Sequence, residues 1–166
     1  TEMFKPIDFA LKSRDSESSK FLRQIVFITD GQSGNEEAIF NNVSYNIKND
    51  RFFTIVIGSA PNSYLLTKLA DFGRGAFTYI GRQQEVSQKM NRLFEKLESP
   101  ALTDIQVNFP PEITSELAKD VIHDLYAGET ITAAFKMNAL PDSLEITGKT
   151  IDGEFNKTIT IDKISG

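Results

Sequence analysis

Hydrophobic residues in the first hundred positions form two alternating patterns. Three short, continuous apolar runs rich in β-branched and aromatic residues are typical of buried strands: Ile25–Thr29, Phe52–Ile57 and Gly75–Ile80. Around them, apolar residues recur every three or four positions and predict four helices, with Met3, Phe4, Ile7, Ala10 and Leu11 in the first, Ala38, Ile39, Val43 and Ile47 in the second, Leu65, Leu66, Leu69, Ala70 and Phe72 in the third, and Val86, Met90, Leu93, Phe94 and Leu97 in the fourth. Strands that alternate with helices predict an α/β fold, here a partial doubly wound, Rossmann-like parallel sheet.

The pattern changes at Pro100. From there, apolar and polar residues alternate with a period of two, as in Leu102–Val107 and Ile131–Met137, and Asp152-Gly153 is typical of a hairpin turn. This part predicts a small antiparallel β unit of four or five strands, part of a β-sandwich. We therefore expect two domains, residues 1–99 and residues 100–166.

The first apolar run raises a question of pairing. A strand as apolar as Ile25–Thr29 is expected to be buried on both faces, with neighbours on both sides, but the sequence offers an obvious partner on one side only. A long apolar edge left open favours association. We expect strands upstream of Thr1 in a longer natural chain, and a homodimer through the Ile25–Thr29 edge.

Composition excludes several functions. The 166 residues contain no cysteine, so thiol chemistry and disulfides are ruled out. Residues 1–100 carry 13 Lys+Arg and 12 Asp+Glu, whereas residues 101–166 carry 5 and 11. Without a basic cluster, nucleic-acid binding is not expected. No apolar run approaches the ~20 residues that span a bilayer.

The candidate chemistry centres on Asp30, which follows the first strand directly. In open parallel sheets, ligands bind outside the carboxyl ends of the strands, and two loops are expected to border this position: Gly31, Gln32 and Ser33 in one, Gly58 and Ser59 in the other. Asp30 is a candidate metal ligand. The alternatives are a helix N-cap or turn residue, and the acceptor or nucleophile of an α/β enzyme or phosphoacceptor domain.

Several segments resemble one protein family. Ile25–Gly31 resembles the fourth strand and Thr-Asp-Gly motif of von Willebrand factor type A domains, and Thr1-Glu2-Met3 resembles the threonine loop of that family. Pro100–Asn108 and Leu125–Glu129 are similar to the segment that follows the A domain in inter-alpha-trypsin-inhibitor heavy-chain-like proteins and their bacterial surface counterparts. The resemblance identifies residues 1–99 as the C-terminal half of such a domain.

The resemblance implies a metal-ion-dependent adhesion site. Thr1 matches the threonine ligand, although it could equally be an N-cap, and Asp30 matches the aspartate after the fourth strand. The Asp-x-Ser-x-Ser loop of the family has no match here, because Asp15–Ser19 carries Glu17 at its third position and precedes the wrong strand. Mg²⁺ prefers six oxygen ligands. We therefore expect Mg²⁺ or another divalent cation in the complete parent protein, and little metal binding by this chain.

The function that the resemblance implies is a non-catalytic, protein-binding or adhesion module of a secreted or cell-surface protein. Its ligand is expected to be a protein or matrix component with an acidic group, which would complete the coordination of the cation.

Overall fold

The computed structural model describes residues 2–14, 21–30, 34–58, 63–98, 100–119, 121–126 and 128–161. The chain divides into two compact units, Thr1–Leu97 and Glu98–Gly166. Within the described residues, no helix is long and apolar enough to cross a membrane.

The first unit alternates helices and strands. Its elements are α1 (Phe4–Lys12), β1 (Gln24–Thr29), α2 (Glu36–Asn46), β2 (Arg51–Ile57), α3 (Ser63–Phe72), β3 (Arg74–Ile80) and, after one turn of 3-10 helix at Gln83–Glu85, α4 (Val86–Glu98). The strands form a parallel sheet in the order β1-β2-β3. The predicted α/β class is confirmed, because the hydrophobic repeats that define each element are long enough to specify it locally.

The sheet places β2, not β1, at its centre. Six consecutive residues of β2, Arg51 to Val56, are buried. By contrast, β1 pairs only with β2 among the described residues, and its Ile28 is 52% exposed. The expectation that β1 is buried on both faces is therefore wrong, because one of its faces is partly open to solvent.

The main core lies where α1, α2 and α3 cover one face of the sheet. It is built from the repeating apolar residues of these helices and the inward residues of β1 and β2: Met3, Ile7, Leu11, Ile25, Ile39, Val43, Ile47, Phe52, Val56, Leu65, Leu66 and Leu69. The one hydroxyl of β2 that points into this layer is satisfied, since Thr54 Oγ1 donates to the carbonyl of Leu66 at 2.9 Å. The helices are thereby held against the sheet by apolar burial without a polar cost.

The turn between α3 and β3 needs two glycines. A Cβ at Gly73 would lie 2.4 Å from Phe52 Cβ, and one at Gly75 would lie 2.2 Å from the Phe52 carbonyl oxygen. Between them, Arg74 adopts a φ of 55°. This Gly-Arg-Gly sequence lets the chain leave α3 and pair with β2 immediately.

An ion cluster joins the elements at the end of the sheet where β1 and β2 begin. The carboxylate of Asp50 is 5% exposed, and its Oδ2 lies 2.8 Å from Arg14 Nη2 and 3.1 Å from Arg23 Nη1. Arg14 also donates to the carbonyls of Asn46 and Ile47 at the end of α2, and Arg23 donates to the carbonyl of Ala10 in α1. One carboxylate thus links α1, α2 and the starts of both strands.

Replacing Asp50 with alanine should destabilise the protein. Loss of the shared carboxylate leaves two arginines without their counter-ion, and because both remain partly exposed we expect a loss of about 2–3 kcal/mol in the free energy of unfolding, below the full cost of breaking a buried pair. Urea unfolding measures this. The control Asp30→Ala removes an exposed carboxylate and should change stability by less than about 0.5 kcal/mol; equal losses in the two variants would contradict the role given to the cluster.

The second unit is antiparallel, as predicted. It contains β4 (Pro100–Asn108), β5 (Ser115–Leu117), β6 (Leu125–Tyr126), β7 (Phe135–Met137), β8 (Ser143–Thr150) and β9 (Gly153–Thr160). The described strands form a four-stranded sheet in the order β6-β4-β8-β9 and a two-stranded sheet of β5 and β7. Of the predicted strand from Ile131, the structure forms a strand at Phe135–Met137, which pairs with the equally short β5.

Two features of the four-stranded sheet were not predicted: the position of the β8–β9 turn, and a register shift between β4 and β8. In the hairpin, Thr150 pairs with Gly153, so the turn residues are Ile151 and Asp152, one position earlier than predicted. Gly153 instead opens β9 with a φ of 127°. In β4, the register against β8 shifts between Thr103 and Gln106. Asp104 has a φ of 51° at this shift, the mark of a bulge.

Candidate functional site

The carboxyl ends of the three parallel strands bring four residues into one row. Asp30 follows β1, Gly58 follows β2, Tyr79 lies at the end of β3, and Lys89 of α4 contacts the same strand end. We refer to Asp30, Gly58, Tyr79 and Lys89 as the strand-end cluster. Parallel pairing produces it, because the ends of neighbouring parallel strands meet at one edge of the sheet.

Asp30 has an exposed side chain at this edge. The helix that follows begins at Glu36 and has Asn35 at its N-cap position. Asp30 lies five positions before Asn35 and therefore does not cap α2, so the N-cap alternative is wrong.

Gly58 lies between Asp30 and the end of β3. Its amide donates to the carbonyl of Ile80 at 3.1 Å. Its φ is 147°, and a Cβ at this position would lie 3.4 Å from the backbone oxygen of Asp30. Glycine provides a conformation that other residues rarely adopt, and without a Cβ it lets the ends of β1 and β2 lie side by side.

Tyr79, in β3, contacts Gly58 from the side opposite β1. Its hydroxyl donates to the carbonyl of Gly58 at 2.8 Å. The ring lies over Gly81, where a Cβ would come within 3.0 Å of the Tyr79 hydroxyl oxygen. Sequence reasoning missed Tyr79; the only local signal was a tyrosine at a strand end, two residues before a glycine that leaves room for the ring.

Lys89 holds the backbone of Tyr79. Its Nζ donates to the Tyr79 carbonyl at 2.6 Å and to Glu85 Oε2 at 2.8 Å, and it lies 5.9 Å from the centroid of the Tyr79 ring. The hydrogen bond from Lys89, followed by its charge and that of Arg82, holds the pKa of Glu85 below the ordinary value for a glutamate. The ammonium of Lys89 is thus committed to the end of β3 and to the 3-10 turn that precedes α4.

Five of the predicted site residues lie outside the described residues: Thr1, Gly31, Gln32, Ser33 and Ser59. The structure does give the N-cap position of α1 to Met3, so the capping role considered for Thr1 is wrong. Of the predicted set, Asp30 and Gly58 are brought together by the parallel pairing of β1 and β2.

The described part of the cluster does not fit a divalent cation. Mg²⁺ needs six oxygen ligands in an octahedron. Asp30 supplies one carboxylate, and the carbonyl of Gly58 already accepts a hydrogen bond from Tyr79. Within the described ranges, no group of three or more His, Cys, Asp or Glu side chains could hold a metal.

With so few oxygen ligands at this edge of the sheet, we expect the chain of 166 residues to bind Mg²⁺ and Mn²⁺ only weakly. One carboxylate in water gives little affinity for a cation that must lose several waters. Isothermal titration calorimetry with each metal measures the affinity, with Asp30→Ala as the control. A micromolar affinity that Asp30→Ala abolishes would contradict the prediction.

The fold is similar to one that is known from solved structures. Three parallel strands that alternate with helices are consistent with a von Willebrand factor type A fold. A solved structure described as von Willebrand factor type A from Catenulispora acidiphila aligns with a TM-score of 0.57 over 84% of this chain and 41% of that chain, at 14% identity. At this identity the likeness shows the fold.

Sequence comparison names the relatives. No family model matches the chain. A von Willebrand factor A domain-containing protein of Dictyostelium discoideum is 28% identical over 145 residues, which cover 86% of this chain and 17% of that protein. Inter-alpha-trypsin inhibitor heavy chain H2 of Mus musculus is 23% identical over 119 residues, which cover 69% of this chain and 13% of that protein.

These relatives confirm the resemblance to von Willebrand factor A domain proteins and inter-alpha-trypsin inhibitor heavy chains. The chain spans 17% or less of the length of the two relatives named above.

Proposed function

We propose that this chain is part of a non-catalytic protein-binding or adhesion module, and that its binding surface is the edge of the sheet around Asp30. The observation that supports the proposal is the placement of the exposed Asp30 at the carboxyl ends of parallel strands, where its backbone oxygen would lie 3.4 Å from a Cβ at Gly58. Ligands of open α/β sheets bind at this edge. The von Willebrand factor A relatives agree with an interaction module in general.

The partner is a protein or matrix component with an acidic group, in an extracellular or cell-surface setting. An acidic partner next to Asp30 requires positive charge between the two carboxylates. Because the described residues do not form a cation site, we propose that a longer parent protein supplies the remaining ligands for Mg²⁺ or another divalent cation.

The alternative is a phosphoacceptor or enzyme that uses Asp30. Such a site needs a lysine directed at the aspartate. The lysine at this edge, Lys89, donates instead to Tyr79 and Glu85. This favours binding over phosphoryl transfer.

Asp30→Ala should remove binding to an acidic surface. In the longer parent protein, we expect retention on an immobilised glutamate-rich peptide in the presence of Mg²⁺ to fall at least tenfold in the variant, a loss of about 1.4 kcal/mol or more. The control Asp152→Ala changes an exposed residue of the second unit and should bind normally. Equal binding by Asp30→Ala would refute the assignment, and covalent phosphate on Asp30 after incubation with acetyl phosphate would support the alternative.

We also propose that this chain self-associates through the edge of β1. The strand Gln24–Thr29 has no charged residue, proline or glycine that would protect an edge, and its Ile28 is 52% exposed. An antiparallel pair of such strands satisfies the backbone groups of both copies and covers both isoleucines.

The expected result is a dimer of this chain in sedimentation equilibrium, and a monomer after Ile28→Lys, because the new charge lies at the interface. Ile151→Lys is the matched control: Ile151 is 98% exposed in the β8–β9 turn, so this variant should dimerise like the parent chain. A parent chain that stays monomeric at high concentration would rule the dimer out.

A further inference from the structure

We propose that Tyr79 is a positioning residue for the edge of the sheet that carries Asp30. This inference rests on the proposed function of that edge, and it adds a residue that neither the sequence motif nor the comparisons single out. Tyr79 itself need not touch the partner. It acts on the backbone that lies next to Asp30.

The ends of β1 and β2 lie close together at Gly58. This glycine adopts a φ of 147°, and a Cβ at its position would lie 3.4 Å from the backbone oxygen of Asp30. A glycine in this conformation is intrinsically mobile, since the same lack of a side chain that permits the conformation also permits others. Unless another group holds Gly58, the backbone beside Asp30 has no fixed position.

Two hydrogen bonds supply that restraint, one to each of the two peptide groups that flank the Cα of Gly58. The amide of Gly58 donates to the carbonyl of Ile80 at 3.1 Å, and the carbonyl of Gly58 accepts from the Tyr79 hydroxyl at 2.8 Å. The first continues the pairing of β2 with β3. The second is made by a side chain, so a single substitution can remove it and leave the sheet intact.

The Tyr79 ring is itself held in place. Gly81 leaves room for the ring, and Lys89 donates to the Tyr79 carbonyl at 2.6 Å with its ammonium 5.9 Å from the ring centroid. The position of the Tyr79 hydroxyl is therefore fixed. Lys89 of α4 holds the backbone of Tyr79, and the Tyr79 hydroxyl in turn holds Gly58, which lies next to Asp30. A partner that binds at Asp30 meets a pre-organised surface, which lowers the entropic cost of binding.

Tyr79→Phe tests this inference, because it keeps the ring and removes only the hydroxyl. Loss of the hydrogen bond should speed amide hydrogen exchange at Gly58 about tenfold and shift the amide resonances of Asp30 and Gly58, while exchange at Ile55 in the buried centre of β2 stays unchanged. The matched control is Tyr45→Phe, which removes the same hydroxyl from a residue that is 84% exposed on α2 and should change none of these signals.

Two exchange results would overturn the inference. One is unchanged exchange at Gly58 in Tyr79→Phe. The other is equal acceleration at Gly58 and Ile55, which would mean that Tyr79 contributes only to overall stability. A second variant, Lys89→Met, should also speed amide exchange at Gly58, but by less. It removes the hydrogen bond to the Tyr79 carbonyl, so the Tyr79 ring is held less firmly.

Binding separates this inference from the proposed function. With the glutamate-rich peptide as the probe, the parent protein carrying Tyr79→Phe should bind three- to tenfold more weakly than the unaltered protein, and Tyr45→Phe should bind equally well. If the unaltered protein binds and Tyr79→Phe binds as tightly, the inference fails. If the unaltered protein does not bind at all, the proposed function fails, and the exchange result alone decides whether Tyr79 positions this edge.

Discussion

The parallel pairing of β2 with both of its neighbours determines most of the first unit. Because β2 is buried over six residues, β1 and β3 must lie in register beside it, and α1, α2 and α3 must cover one face. The same pairing decides where function can arise. Strands that run in one direction bring their carboxyl ends together, so Asp30, Gly58 and Tyr79 become neighbours although almost fifty residues separate the first from the last.

The two ends of this sheet use polar groups differently. Where β1 and β2 begin, Asp50 is buried, and two arginines share one of its oxygens while also donating to backbone carbonyls. Where the strands end, Asp30 is exposed and the surrounding hydrogen bonds act on the backbone next to it. A satisfied, buried carboxylate is typical of a structural role, and an exposed one on a restrained backbone is typical of a binding surface.

The second unit shows how weakly short strands are specified. The hairpin of β8 and β9 was predicted within one residue, because Asp-Gly is a strong local turn signal. The strand that was predicted to begin at Ile131 is shorter in the structure and covers Phe135–Met137. Alternation of apolar and polar residues alone does not show how far a partner strand extends. The bulge at Asp104 has no signal in the alternation, because it depends on the register of β4 against β8.

The sequence by itself determined the elements of the first unit and the position of Asp30 after a strand. Continuous apolar runs and three-to-four-residue repeats are local properties, and they are strong here. Only the tertiary structure decided which strand is central, that Ile28 is half exposed, and that Asn35 and Met3, not Asp30 and Thr1, hold the N-cap positions. It alone showed that Tyr79 and Lys89 lie at the same edge as Asp30, because hydrogen bonds between distant segments depend on strand order and register, which no local pattern contains.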